Sequence, residues 1–178
     1  MWLGGPPEVA APAPTSLIDI VDEHDQTVGR ARRRDVFRLK VSFRTVHVLL
    51  FNSRNELLLQ RLAPHGVRHP GLWGSSVAGY LHAGEKYAEA AQRRLNEELG
   101  ISAPLAEIGV TRMNDDGVTK FVGVFTAAAD HPRNGAPHQI AELKFLPVPA
   151  VERAIASHPE DFTDTFLHVF RFWEAHHD

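Results

Sequence analysis

The chain has 178 residues, of which 43% are hydrophobic and 23% charged, with a formal net charge of -3 and no cysteine. That length suits one domain with its own core, the charge gives no general attraction to nucleic acid, and the absence of thiols excludes disulfides, thiolate catalysis and cysteine-type zinc sites. No apolar run approaches the roughly 18 residues needed to cross a bilayer, so neither a membrane nor a nucleic-acid partner is expected and a cytoplasmic location is.

Residues 1–15, "MWLGGPPEVAAPAPT", interrupt their apolar residues with Gly and Pro and read as a flexible arm. Residues 16–178 then form a single domain. "SLIDIVDE" followed by "HDQTVG" reads as a strand, a turn and the start of a second strand. "RARRR" (Arg30 to Arg34) is the one basic cluster; a solvated face is the simpler reading, attraction of a diphosphate the sharper one. "RTVHVLLFN" becomes continuously apolar, as a central strand does, and "NSRN" turns it into the antiparallel "ELLLQRL". A Gly, Pro and His-rich connection leads to a short strand at "SSVAGYL". From Lys86 to Leu99 the small and apolar residues Ala90, Ala91, Leu95 and Leu99 recur at helical spacing, and Gly100 is a natural stop. Asp116-Gly117 signals a hairpin between "LAEIGVTRM" and "VTKFVGVFTAAA". "AELKFLPV" is a further strand, Pro149 to Ser157 a short helix, and the last helix places Phe162, Phe166, Val169, Phe170 and Trp173 on one side with Asp161 or Thr163 as its cap. The sum is an α+β fold, an α/β/α sandwich around a mixed β-sheet.

Chemistry is concentrated in "GYLHAGEKYAEAAQRRLNEELGI", Gly79 to Ile101. Positions 94, 97 and 98 share one helix face. Glu97 and Glu98 stand near the helix C-terminus, where the dipole disfavours negative charge by roughly 0.3–1 kcal/mol. Either a bound cation, for which oxygen ligands suit Mg²⁺ or Mn²⁺, or a nearby base such as Arg94 at i,i+4 from Glu98 offsets them.

Gly79, Glu85, Arg93, Leu95, Glu97, Glu98, Gly100 and Ile101 fall at the spacing of the Nudix hydrolase motif, so the sequence resembles that superfamily; Arg94 stands where the motif has glutamate. The resemblance implies a Nudix-type sandwich and hydrolysis of a diphosphate linkage in a nucleoside diphosphate derivative, with Mg²⁺ or Mn²⁺ as cofactor. It makes Glu85, Glu97 and Glu98 candidate metal ligands, Arg93 the residue that orients them, and Gly79, His82 and Arg94 candidate contacts to a small phosphorylated substrate. Glu142, opening a strand after a polar loop, is the candidate further acid, with a solvent-facing role equally open. Trp73 and Phe43 are candidates for stacking on a base or for the core. A homodimer is a candidate assembly.

"IDIVDEHDQTVGRARRRDVFR" and "LFNSRNELLLQRLAPHGVRHPGLWGSSVAGYLHAGE" also resemble type I isopentenyl diphosphate isomerases, a branch of the same superfamily that tolerates "RR" in the helix. The isomerase cysteine falls at Ala78 and its histidine at Tyr80, which removes the acid and base that double-bond migration requires. Hydrolysis is therefore expected ahead of isomerisation, and the alternative to hydrolysis is a weak or inactive domain that binds a phosphorylated ligand.

Overall fold

The computed structural model describes residues 16–65 and 68–177; the arm read at 1–15 lies outside them. Strand β1 (Leu17–Val21) pairs antiparallel with β2 (Thr27–Arg32). A single 3-10 turn over Arg33–Asp35 and the short helix α1 (Val36–Leu39) follow, closed by Lys40 in the left-handed region at φ 56°. Neither was expected from the sequence, because four residues carry no helical periodicity.

Strand β3 (Ser42–Phe51) is central, as its apolar run implied: Val46, Val48, Leu49 and Leu50 have no exposed surface. It meets β4 (Glu56–Leu62) antiparallel only at Phe51 and Leu57, beside the turn. The expected hairpin thus exists at its tip, and beyond it the two strands part. β4 takes β5 (Trp73–Gly74) and β9 (Ile140–Pro147) as neighbours. β3 instead takes β6 (Val77–Tyr80) antiparallel on one side and, on the other, β8 (Val118–Ala128) in parallel along nearly its whole length. β7 (Ala106–Asp115) closes that edge as a hairpin with β8. Its two turn residues, Asp116 and Gly117, have φ of 54° and 81°, the conformation that suits strand twist in a two-residue loop.

Helices cover both faces. The helix α2 (Tyr87–Leu99) lies on one, burying Ala90, Ala91, Leu95 and Leu99 against Val46, Val48, Leu50 and Leu58. Each of those leucines contributes about 1.5–3 kcal/mol through burial. On the other face α3 (Val148–Ser157) and α4 (Asp164–His176) pack Val151, Phe166, Val169 and Phe170 on Leu49, Leu59, Val122 and Val124. Thr163 caps α4 by accepting the Phe166 amide at 3.1 Å. The period of two along β3 sends Val46 and Val48 to the α2 face and His47 and Leu49 to the α4 face. This is the expected α/β/α sandwich, opened where β3 and β4 diverge.

Candidate functional site

Helix α2 starts where the Glu89 carboxylate accepts the Lys86 amide at 2.8 Å and ends at Gly100, φ 65°. Its last turn is held from outside: the Gly135 amide donates to the Glu98 carbonyl at 2.7 Å and the Arg133 amide to the Leu99 carbonyl at 2.8 Å. A side chain at Gly135 would run into the Glu97 carbonyl, so only glycine lets that loop approach.

The motif carboxylates converge on two arginines. Arg93 donates to both oxygens of Glu85, at 2.8 and 2.9 Å, to Glu97 at 3.1 Å and to the Tyr80 carbonyl at 3.2 Å. Burial alone would raise the Glu85 pKa, but the Arg93 bonds and the His82 amide outweigh it and hold it below the usual range. Arg94 is only 2% exposed, as is Glu98. Its Nη2 makes an ion pair with Glu98 Oε2 and donates to the Ala78 carbonyl at 2.9 Å, while Nη1 reaches Glu97 at 3.4 Å. Gln60 donates to the other Glu98 oxygen at 2.8 Å, and to the Ser76 carbonyl at the same distance. Burial pushes Glu98 above the ordinary carboxylate range, and Arg94 and Gln60 draw it back only in part. A Cβ on Gly79 would collide with Arg94 Nε. That glycine is the space through which the arginine passes.

Beyond Gly79 lies a cavity of about 590 Å³, on the α4 side of the gap between β6 and the diverging β4 and β5. Four cationic side chains line it, Arg33, Arg68, Arg94 and Lys120, and no carboxylate does among the described residues. Lys120 Nζ donates to Asp115 and to Thr165 Oγ1, both at 2.8 Å. Asp115 also accepts both terminal nitrogens of Arg68, at 3.2 and 3.3 Å. Burial lowers the Lys120 pKa, and Asp115 recovers only part of it. His47 in the cavity wall lies 2.7 Å from Ser75 Oγ; burial, with Lys120 and His168 nearby, pushes its pKa down to about 3, so the ring is neutral near pH 7. Arg33 sits over the Tyr80 ring at 5.1 Å. The Nε atoms of Arg33 and Arg94 are buried without a hydrogen-bond partner.

The sequence-predicted residues separate accordingly. Glu85, Arg93, Arg94, Glu97 and Glu98 come together, and Gly79 and Arg94 reach the cavity. His82 is exposed and contributes its backbone amide to Glu85, not its ring to the cavity. Glu142 lies opposite Arg61 on β4, with a side-chain contact at 3.3 Å. Gln60, one residue from Arg61, points to Glu98, so Glu142 faces the other side of the sheet from the motif. Phe43 is 1% exposed and stacks on Tyr80 in the core, and Trp73 packs partly buried beneath Arg61. Asp115, the last residue of β7, is the acid that holds two of the cavity cations.

Sequence reading missed Gln60, His47, Lys120 and Arg68, and placed Arg33 only within the basic cluster Arg30 to Arg34. Three of them left a signal: Gln60, His47 and Lys120 are polar residues inside the apolar runs "LLLQ", "VHVLL" and "KFVGV", and a polar side chain there must find a buried partner.

A divalent ion does not fit the carboxylates as they stand. The oxygens of Glu85 and Glu97 accept from Arg93, Arg94 or the His82 amide and Glu98 Oε1 accepts from Gln60, while Glu98 Oε2, buried without a hydrogen-bond partner, is ion-paired with Arg94 Nη2. Two guanidiniums are also in direct contact with the acids. Among the described residues no group of three or more His, Cys, Asp or Glu side chains is arranged to hold a metal.

A family model described as the NUDIX domain matches residues 41–166. The chain belongs to the Nudix family. An uncharacterized Nudix hydrolase of Pseudomonas aeruginosa is 36% identical over 146 residues, covering 81% of this chain and 86% of that protein. An isopentenyl-diphosphate Delta-isomerase of Streptomyces avermitilis is 32% identical over 161 residues, covering 86% and 81%. Among solved structures, a Deinococcus radiodurans protein superposes with a TM-score of 0.75 at 25% identity, over 89% of this Nudix chain and 99% of its own. The NUDIX domain of Shewanella oneidensis NrtR, solved with ADP ribose, shares the fold, with a TM-score of 0.60 at 17% identity and coverage of 75% and 87%. Among the described residues no helix is long and apolar enough to cross a membrane.

Proposed function

We propose that this Nudix domain binds the diphosphate of a small phosphorylated molecule, a nucleoside diphosphate derivative, in the basic cavity, and that Arg94 keeps hydrolysis of that diphosphate slow. The observation that carries the reading is the cavity lining, which among the described residues offers Arg33, Arg68, Arg94 and Lys120 and no carboxylate. Guanidinium groups match phosphate oxygens through paired N–H donors. Within this reading Gly79 leaves room for Arg94, and Tyr80 and the hydroxyls of Thr45, Thr163 and Thr165 border the rest of the ligand.

A second reading, full Mg²⁺- or Mn²⁺-dependent diphosphate hydrolysis, is favoured by one observation: Glu85, Arg93, Glu97 and Glu98 all stand at the motif spacing and cluster in space. There Glu97 and Glu98 would serve as catalytic metal ligands with Glu85, and Arg93 would hold them in place. Glu142 faces away from the motif glutamates and is absent from the cavity lining, which argues against it as a base. Isomerisation is the least supported activity, because Ala78 and Tyr80 put a methyl group and a phenol whose pKa is raised by burial at the positions where the isomerase resemblance calls for cysteine and histidine. A cytoplasmic homodimer acting on a small molecule is compatible with the cysteine-free, mildly acidic sequence.

Phosphate release from nucleoside di- and triphosphate derivatives, with Mg²⁺ and with Mn²⁺, separates the readings in wild type, Glu98→Gln and Arg94→Glu. The proposal expects little turnover in wild type and a gain in Arg94→Glu. Rapid metal-dependent turnover in wild type that Glu98→Gln abolishes would replace it with the second reading.

A further inference from the structure

We infer that Arg94 serves as the cation of this site, so that phosphate binding in the cavity requires no divalent metal. The inference rests on the cavity reading above and extends it to what neutralises the ligand. Three features of Arg94 support it.

First, the guanidinium is fixed in place. Glu98, Glu97 and the Ala78 carbonyl hold Nη1 and Nη2, and Gly79 provides the passage for its stem. Little side-chain freedom remains to be lost when a ligand arrives, and a pre-set donor binds more tightly for that reason. Second, donor capacity remains. The Arg94 Nε is buried and has no hydrogen-bond partner, and the same holds for Arg33 Nε in the same lining. Buried donors left open are uncommon in native proteins and call for an explanation. Third, the charges are layered. The carboxylates that balance Arg94 lie behind it and outside the lining, whereas Arg33, Arg68 and Lys120 share the lining with it. Arg93, Arg94 and Gln60 hold Glu97 and Glu98, so the guanidinium of Arg94 is the charged group of the motif helix that reaches the lining.

Titration calorimetry with inorganic pyrophosphate on the intact chain, once in EDTA and once in excess Mg²⁺, tests this. The expected result is binding in EDTA within about threefold of that in Mg²⁺, and about tenfold or more weaker binding in the Arg94→Gln/Glu98→Gln double variant. The double variant leaves no lone buried charge, and an unchanged melting temperature establishes that it is folded. Arg94→Lys keeps the charge without the planar fork and is expected to fall between them. Binding that appears only with Mg²⁺ would overturn the inference and leave the cavity reading intact. So would binding in EDTA that the double variant does not weaken. No binding under either condition would overturn the cavity reading itself.

Discussion

The two sides of Arg94 are built on opposite principles. On the α2 side three glutamates and two arginines are ion-paired with one another, and Glu98 is 2% exposed. On the cavity side four cations share one lining with no acid among the described residues, and Asp115 restrains two of them from behind. A closed ion-pair cluster contributes positioning and little reactivity, while an open cationic lining awaits a partner. In the proposed reading the motif helix is the mount, and the cavity the binding surface.

The comparison breaks most visibly if Arg94 is removed alone. Arg94→Ala strands a buried Glu98 carboxyl beside Gln60, and a loss of about 3–5 kcal/mol in urea unfolding is expected. Replacing both partners, as in Arg94→Met/Glu98→Leu, restores most of it. Recovery that fails would mean that the pair does more than neutralise itself. Next in size is Gly79→Ala, whose Cβ meets Arg94 Nε and Cδ. It costs about 1–3 kcal/mol in wild type, and a double-mutant cycle with Arg94→Ala should show most of that cost vanishing.

The third prediction concerns pH. His47 stays neutral in the fold down to about pH 3, whereas the unfolded chain takes up its proton near pH 6.5. Its contribution to stability is complete above the unfolded pKa and is lost as pH falls from about 6.5 towards 3. The melting temperature of wild type should thus fall more steeply between pH 7 and 4 than that of His47→Gln, and equal slopes would remove His47 as the cause. The smallest effect is expected at Glu142. Its pair with Arg61 is partly exposed, so Glu142→Gln should shift stability by no more than about 1 kcal/mol and leave pyrophosphate affinity unchanged. A loss of affinity there would place the binding surface on the wrong part of the sheet.

Most strands, α2 and the last two helices were legible because apolar periodicity and turn residues are local signals, whereas the two-residue β5 lies in the stretch read as a connection. β4 was read to its observed bounds, Glu56–Leu62. The parting of β3 from β4 was not legible, since nothing in "LFNSRNELLLQ" records that β3 will choose β6 and β8 while β4 chooses β5 and β9. The same limit divides the site. Motif spacing located Glu85, Arg93, Arg94, Glu97 and Glu98, all close in sequence. Arg33, Arg68 and Lys120 come from three distant segments, and only the fold brings them to one wall. "RARRR" illustrates the difference: Arg32 and Arg34 are exposed as a solvated face requires, while Arg33, between them, turns into the cavity.

Gly79 also bears on how such a site can arise. Its missing side chain leaves the corridor beside α2 open whichever residue occupies position 94. A lineage carrying this glycine can exchange glutamate for arginine at that position with no accommodating change in β6. A reversal in sign at the centre of the motif is thus one residue replacement, and the backbone around it has no need to follow.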